Sequence, residues 1–403
     1  MMNTLVLITD VFPYGSITET SFIAPEIEAL SKRFDRVIIA PRMKLSDTPD
    51  VSDFPANVEV SDALIIEKTL SNKLKALPRI GGAILRDLRR SKGDLRDVIA
   101  YSAYVDMCRR SLRRFIKRYD LDLHDTLFYT FWFDFTTAAL SLINGARFLT
   151  RAHGHDIYDE RNFISPTWRT RAFEKMIACH PVSRAGVDYL RHRFPAYAGK
   201  IDLRHLGTVN KYGMNPAGHP GGKEITLAGI ARLSPEKGVI RQMETLLRFA
   251  SGNPEYDINY IHIGDGPQMG EAERLTRNLP KNLRIDLRGA LHNDDVHRLL
   301  ASTHIDALLL LSHSEGLPIS LCEGISYGIP FLATDVGGIH EILPEGTLPL
   351  LPDSFSYSEF EKGLQSVLTD KGLRQVVRDH WQRHFDAAEL RRRFADELAG
   401  IPV

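Results

Sequence analysis

The 403 residues are 43% hydrophobic and 25% charged, and 51 basic side chains balance 51 acidic ones to a formal net charge of zero. That length is too great for one ordinary core and suits two domains, while the balanced charge removes any global pull toward nucleic acid. Three cysteines, Cys108, Cys179 and Cys322, lie far apart without metal or redox spacing, so they read as small buried hydrophobes in a reducing compartment.

The chain opens on Thr4-Leu5-Val6-Leu7-Ile8-Thr9-Asp10. It has no basic leading segment and meets an aspartate early, which predicts a first strand and not a signal peptide. No apolar run approaches the length that spans a bilayer. The loop Phe12-Pro13-Tyr14-Gly15-Ser16 follows, then an amphipathic helix with Ile23, Ile27 and Leu30 in register. Residues 37–40, 126–129, 146–150 and 177–182 are strand candidates, each followed by a helical pattern. The second half is more regular: strands at 225–229, 258–263, 283–287, 305–311 and 330–333 alternate with helices. Such alternation predicts a parallel, doubly wound sheet, and here it occurs twice. The Gly- and Pro-rich stretch 210–222 separates the two runs and reads as a linker. The expected organisation is an N-terminal domain at 1–209, a C-terminal domain at 223–385, and a helical tail at 386–403 that crosses back to the first domain. The two domains would be Rossmann-like and face each other across a cleft.

From Lys68 to Arg118 basic residues far outnumber the acidic ones, Asp87, Asp94, Asp97 and Asp106. Helical spacing puts Arg109, Arg110, Arg113, Arg114, Lys117 and Arg118 on one face, opposite Cys108, Leu112, Phe115, Ile116 and Tyr119. Such a face suits an anionic membrane surface or anionic glycolipid, and it also suits a solvated helix packed on a sheet.

The chemistry concentrates in turns that follow strands, the edge at which open α/β sheets bind ligands. Glu315 and Glu323 flank a helix start in Glu315-Gly316-Leu317-Pro318-Ile319. The free amides there favour phosphate, and carboxylates accept hydrogen bonds from sugar hydroxyls, so the pair suggests a ligand that is part sugar and part phosphate. Two solvated helix glutamates would look the same in isolation. Arg232 and Lys237 follow an earlier strand and can neutralise a diphosphate. Gly264-Asp265-Gly266-Pro267 and Arg288-Gly289 end two others, where small residues let a flat base approach. Convergence on one sheet edge makes these turns a nucleotide-diphosphate site. In the first half, Arg151-Ala152-His153-Gly154-His155-Asp156 also follows a strand, and its histidines read as a reacting-centre loop.

These motifs resemble the family-four retaining glycosyltransferases of the GT-B fold, glycosyltransferase group 1, over nearly the whole chain and most strongly from Ile225 to Leu343. Arg232-Leu233 with Lys237-Gly238, the Gly264–Pro267 turn, the Glu315–Pro318 turn, Glu323, and Asp335-Val336-Gly337-Gly338 before Glu341 carry the likeness. The resemblance implies that Arg232 and Lys237 hold the donor diphosphate, that Glu315 contacts the donor sugar, and that Glu323 contacts the ribose. It sets His153 over the donor sugar, and gives Gly15, Gly264, Gly266, Arg288, Gly316, Leu317, Pro318 and Ile319 to donor binding. Arg151 and Asp156 would serve the acceptor, since their motif resembles members that build bacterial surface polysaccharides. Two departures stand out: Gly15-Ser16 replaces a usual pair of glycines, and Gly324 a usual alanine.

The implied reaction moves a sugar from a nucleotide diphosphate sugar to a hydroxyl of a glycan or lipid-linked glycan, with the anomeric configuration retained and no metal or other cofactor. Fixed cations and a helix N-terminus can stabilise the leaving diphosphate. No Asp-x-Asp stands at a strand end; Asp294-Asp295 is an adjacent pair at a helix start. Front-face attack is the implied route, and a carboxylate nucleophile is the other way to retention. The implied location is the cytoplasm, with the basic region 68–118 facing the cytoplasmic side of an anionic inner membrane. A nucleotide-sugar epimerase and a non-catalytic glycan- or nucleotide-binding module share the frame; the intact Arg232, Lys237, Glu315 and Glu323 argue against the second.

Overall fold

Short apolar runs punctuated by Gly and Pro become strands here, and the longer 3.6-periodic runs become helices. The computed structural model describes residues 3–15, 17–51, 53–66, 95–158, 165–216, 223–344, 346–370 and 372–402. In chain order these form β1 (Thr4–Thr9), α1 (Ile17–Ser31), β2 (Arg36–Pro41), β3 (Val58–Val60), α2 (Leu95–Arg118), β4 (Thr126–Thr130), α3 (Phe135–Leu140), β5 (Arg147–Ala152), α4 (Gly154–Ile157), α5 (Pro166–Lys175), β6 (Cys179–Pro181) and α6 (Arg184–Arg193). Then follow β7 (Glu224–Ile230), α7 (Val239–Gly252), β8 (Asp257–Ile263), α8 (Met269–Leu275), β9 (Leu283–Leu287), α9 (Asn293–Ser302), β10 (Ala307–Leu310), α10 (Ile319–Ser326), β11 (Phe331–Thr334), β12 (Leu350–Leu351), α11 (Tyr357–Thr369), α12 (Leu373–His384) and α13 (Ala387–Ala399).

Two units result. One holds Met1–His205 with Arg391–Val403, and the other Leu206–Leu390. In the first, the sheet order is β3-β2-β1-β4-β5-β6, so the order reverses between β1 and β4. Leu5 and Leu7 pack on one face with Ile23, Ile27 and Leu30 of α1 and Phe394 and Leu398 of α13. Val6 and Ile8, one residue out of step, pack on the other with Cys108, Leu112 and Phe115 of α2. Each fully buried aliphatic side chain of these layers contributes roughly 1.5–3 kcal/mol. In the second unit the order is β12-β11-β10-β7-β8-β9, reversing between β7 and β10. Strand pairing is parallel in both sheets.

The edge strands β3 and β12 were not expected. They have three and two residues, too few for a pattern to emerge. The part of the basic region from 68 to 94, Ser16 and linker residues 217–222 lie outside the described residues. The basic face of α2 needs correction. Asp106, buried, takes Arg109 at 2.6 Å and Arg110 at 3.1 Å, so these two turn inward, while Arg113, Arg114, Lys117 and Arg118 are exposed.

Candidate active site

The second sheet reverses at β7 and β10, so the loops leaving those strands border its crevice. After β7, a short turn at Pro235–Lys237 ends on Gly238 with φ of 60°. A β-carbon at Gly238 would strike the Leu311 carbonyl, so the two loops can touch only at a glycine. They are joined further by the His313 amide, which donates to the Glu236 carbonyl at 2.8 Å. Lys237 Nζ reaches Glu315 Oε2 at 2.7 Å, and Ser312 Oγ donates to Oε1 at 2.7 Å. Glu315 is buried, and both of its oxygens are held. An ammonium has three donors, so Lys237 can keep this carboxylate and still face a phosphate. Arg232 is exposed and has no ion-pair partner among the described residues.

The next loops lock on behind. Gly337, at φ of 59°, leaves no room for a β-carbon against the Glu315 carbonyl, and the Gly338 amide donates to the Gly316 carbonyl at 2.7 Å. Gly316, Leu317, Pro318 and Ile319 thus form a fixed entry to α10, with Pro318 at the N-cap. Arg241, not singled out in the sequence, donates to the Leu311 carbonyl at 2.5 Å and pairs with Asp353 at 3.0 Å.

Glu323 sits one turn into α10, buried. Asn293 Nδ2 donates to its Oε1 at 3.0 Å, and His297 Nε2 stands 3.6 Å from the same oxygen. Burial pushes the Glu323 carboxyl up to about 7, with the Asn293 hydrogen bond opposing. Burial also pushes the Tyr327 phenol up to about 12, and its Oη is hydrogen-bonded to His297 Nδ1 at 2.9 Å. Oε2 of Glu323 has no partner among the described residues.

At the end of β8, Gly264 has φ of 143° and the Ala231 carbonyl where a β-carbon would be, and Gly266 meets the Leu233 carbonyl in the same way. The Gly264 amide donates to the Gly289 carbonyl at 2.8 Å, which ties the Arg288-Gly289 turn to this loop. Arg288 itself is exposed and paired with Asp286 at 2.6 Å. Beneath these turns runs a chain of hydrogen bonds that sequence reasoning missed. Leu311 N donates to Gln242 Oε1 at 3.3 Å, Gln242 Nε2 to Tyr260 Oη at 2.5 Å, and Tyr260 Oη to His262 Nδ1 at 2.9 Å. His262 Nε2 then donates to the Ala231 carbonyl at 3.1 Å. A carbonyl only accepts, so the direction of every bond is fixed. Burial pushes His262 down to about 4, which keeps the ring neutral. Its side chains come from α7 and β8, and its two ends are backbone groups just past β10 and β7.

In the first unit, His153 is nearly enclosed between Phe131, 4.7 Å away centroid to centroid, and Trp132 at 4.6 Å. Among the described residues neither ring nitrogen has a hydrogen-bond partner, and Nδ1 lies 3.7 Å from Asp156 Oδ2. Gly15, exposed, takes φ of 89°, a conformation that favours glycine.

Arg151 and Asp156 do not suit the acceptor role expected of them. β5 runs on to Ala152, so Arg151 is still a strand residue, and its side chain is buried. It pairs with Glu26 at 2.7 Å, donates to Tyr129 Oη at 2.8 Å and lies 4.4 Å from the Phe394 ring centroid. Asp156 is also buried, accepting from the amides of His153 at 2.6 Å and Phe133 at 2.9 Å. Both hold the loop together.

The second unit therefore offers two cations, an amide-bearing helix start and two carboxylates at one crevice, which can hold a diphosphate and hydroxyls together. Residues 215–383 match the model of the family described as glycosyl transferases group 1. The chain is 32% identical to N-acetyl-alpha-D-glucosaminyl L-malate synthase of Bacillus anthracis over 117 residues, 29% of this chain and 30% of that protein, so the match spans less than a third of that relative. Across nearly all of its length it is similar in structure to the lipopolysaccharide outer core galactosyltransferase WaaB in apo form, with a TM-score of 0.62, 16% identity and 98% of each chain covered. It is also similar to HepE of Anabaena in complex with UDP-glucose, with a TM-score of 0.63, 17% identity, and 98% of this chain and 100% of that one covered. At such identity the likeness is one of fold, and that fold is GT-B.

Proposed function

We propose, from the premise that residues 215–383 form a group 1 glycosyltransferase domain on a GT-B frame, that this chain transfers a sugar from a nucleotide diphosphate sugar to a hydroxyl of a glycan or lipid-linked glycan. The observation that carries the reading is the Lys237–Glu315 pair at the crevice of the second sheet, with the unpaired Arg232 beside it. Arg232, Lys237 and the amides that open α10 offset the charge developing on the leaving diphosphate, and they do so as fixed groups without a metal ion. Glu315 receives the sugar hydroxyls, and the unpartnered Oε2 of Glu323 receives a ribose hydroxyl. His153, whose ring nitrogens are unmatched among the described residues, takes the role over the donor sugar that the resemblance implies. The transfer retains the anomeric configuration, with a diphosphate oxygen taking the acceptor's proton on the front face.

The acceptor belongs to bacterial cell-surface polysaccharide synthesis, a reading supported by the likeness to WaaB. The exposed Arg113, Arg114, Lys117 and Arg118 of α2 give this chain an attraction to an anionic membrane surface, which liposome sedimentation with and without acidic lipid and salt tests. No described helix is long and apolar enough to cross a membrane. Thermal stabilisation by UDP, GDP and ADP in parallel identifies the base, since a ligand that binds the native state raises its apparent stability. NMR of the product then reads its anomeric configuration. A product of inverted configuration removes the retaining claim, and indifference to all nucleoside diphosphates removes the donor site.

A further inference from the structure

The first sheet has its own point of reversal, between β1 and β4, and a carboxylate of the chain already fills it. Glu19 of α1 is buried, 3% exposed. Its Oε1 accepts from the Asp10 amide at 2.9 Å and from Trp132 Nε1 at 2.6 Å. Its Oε2 accepts from the amides of Val11 and Phe12, both at 2.7 Å. Two donors on each oxygen satisfy an ionised carboxylate. The amides of a first β–α turn are those that would otherwise cradle a phosphate. Here they are consumed, and a phosphate would meet a negative charge.

We infer that Glu19 is a positioning residue: a built-in anion that closes this crevice to phosphate, pins the Trp132 indole, and through it fixes the ring clamp around His153. The inference rests on the proposed part of His153 in transfer. Trp132 joins β4 to that clamp, lying 4.6 Å from His153 and edge-on to Phe131 at 5.4 Å. Among the described residues no hydrogen bond holds the His153 imidazole, whose Nδ1 lies 3.7 Å from Asp156 Oδ2, so the walls formed by Phe131 and Trp132 do most to set its place. One wall is tethered by a single indole N–H, and that tether ends on Glu19.

The test is chemical rescue. Glu19→Ala leaves three amides and an indole facing a gap that formate fits. Turnover, read as UDP released from UDP-glucose, should fall at least about tenfold with donor KM within about twofold, as expected when a reacting group is misplaced and the donor site is untouched. Formate should restore part of the turnover, and should shift the tryptophan emission of Glu19→Ala but not of Glu19→Ala combined with Trp132→Phe. Unchanged turnover in Glu19→Ala, or a folded Glu19→Ala whose emission ignores formate, overturns the inference. If that variant does not fold, Glu19→Gln decides: its amide sets N–H against N–H, so parental emission and turnover overturn the inference. A parent that releases no nucleoside diphosphate from UDP-, GDP- or ADP-glucose, or a Glu315→Gln variant as active as the parent, counts against the proposed function instead. In that case the formate-dependent emission still decides whether Glu19 is the built-in anion.

Discussion

Lys237 Nζ lies 2.7 Å from Glu315 Oε2, joining the loops that leave the two strands between which the second sheet reverses its order. The first sheet is bridged at its own reversal by Glu19 and Trp132 at 2.6 Å. The two bridges differ in what they leave over. The first-unit carboxylate has four donors on two oxygens and nothing to offer a ligand. The second-unit bridge carries an ammonium with donors to spare and stands beside the exposed Arg232. Of the two bridges, the second-unit one alone keeps a cationic donor that a phosphate could use.

This asymmetry predicts the effect of breaking the second bridge. Lys237→Ala removes a cation that acts on charge developing in the transition state, so turnover should fall about 10²–10³-fold. Glu315→Gln keeps an acceptor for Ser312 Oγ but gives Lys237 no counter-charge, and should cost turnover to a similar degree. Steady-state kinetics of nucleoside diphosphate release, with circular dichroism to verify folding, makes the measurement. Parental turnover in both variants would remove the assignment of this crevice to donor activation.

Glu323 predicts a pH dependence with a definite sign. Its carboxyl is raised from 4.5 to about 7 in the folded protein, chiefly by burial. Between those values the native state holds a proton that the unfolded chain has lost, so stability falls as pH rises through the window and levels off above about 7. The full effect is on the order of 3 kcal/mol. A ribose hydroxyl donates more strongly to the carboxylate than to the acid, so nucleotide binding releases the proton and tightens from about pH 6 to 8. Titration calorimetry near the middle of that range, in buffers of different ionisation enthalpy, should show proton release that vanishes in Glu323→Gln. Buffer-independent heats in the parent would contradict the ribose role.

Much of this was legible in the sequence, for reasons that particular residues make clear. Parallel strands buried on both faces are apolar runs, so 305–311 could be read directly, and Gly264, Gly266, Glu315 and Glu323 stood out because turns after strands are short. Glu19 did not stand out. A glutamate in the first turn of a helix is common on electrostatic grounds alone, and its four donors come from two distant segments. The Gln242–Tyr260–His262 chain was hidden in the same way, since three side chains on two elements meet only after the sheet forms. Arg151 misled because it adjoins His153-Gly154, whereas two further strand residues carry its side chain into the core.

The two glycines of the base-side turns should respond differently to a methyl group. Gly264 has φ of 143° and the Ala231 carbonyl in the place of a β-carbon, so Gly264→Ala must move the β8 loop against the β7 loop. Gly289 has φ of 65° with no atom within 4 Å of a β-carbon, so Gly289→Ala meets only the left-handed backbone cost of roughly 1–2 kcal/mol. Denaturant unfolding should find Gly264→Ala the more destabilised, and nucleoside diphosphate affinity should fall in it alone. Equal losses in the two variants would mean that the loop contact does not shape the site.

Arg151 tests whether the loop after β5 reads an acceptor or holds the unit together. Glu26 is 3% exposed, and its strong partner is Arg151 at 2.7 Å, with Tyr129 Oη more distant at 3.4 Å. Arg151→Ala leaves that carboxylate buried without a counter-charge and removes the group against Phe394, so unfolding in urea should show a loss of about 3–5 kcal/mol. Pairing Arg151→Met with Glu26→Gln removes both charges and keeps most of the volume. Because the cost of breaking a buried pair lies largely in the charge left behind, the double variant should recover much of the loss. An acceptor contact would behave otherwise: the acceptor KM would rise in Arg151→Ala at constant stability, and Glu26→Gln would not repair it.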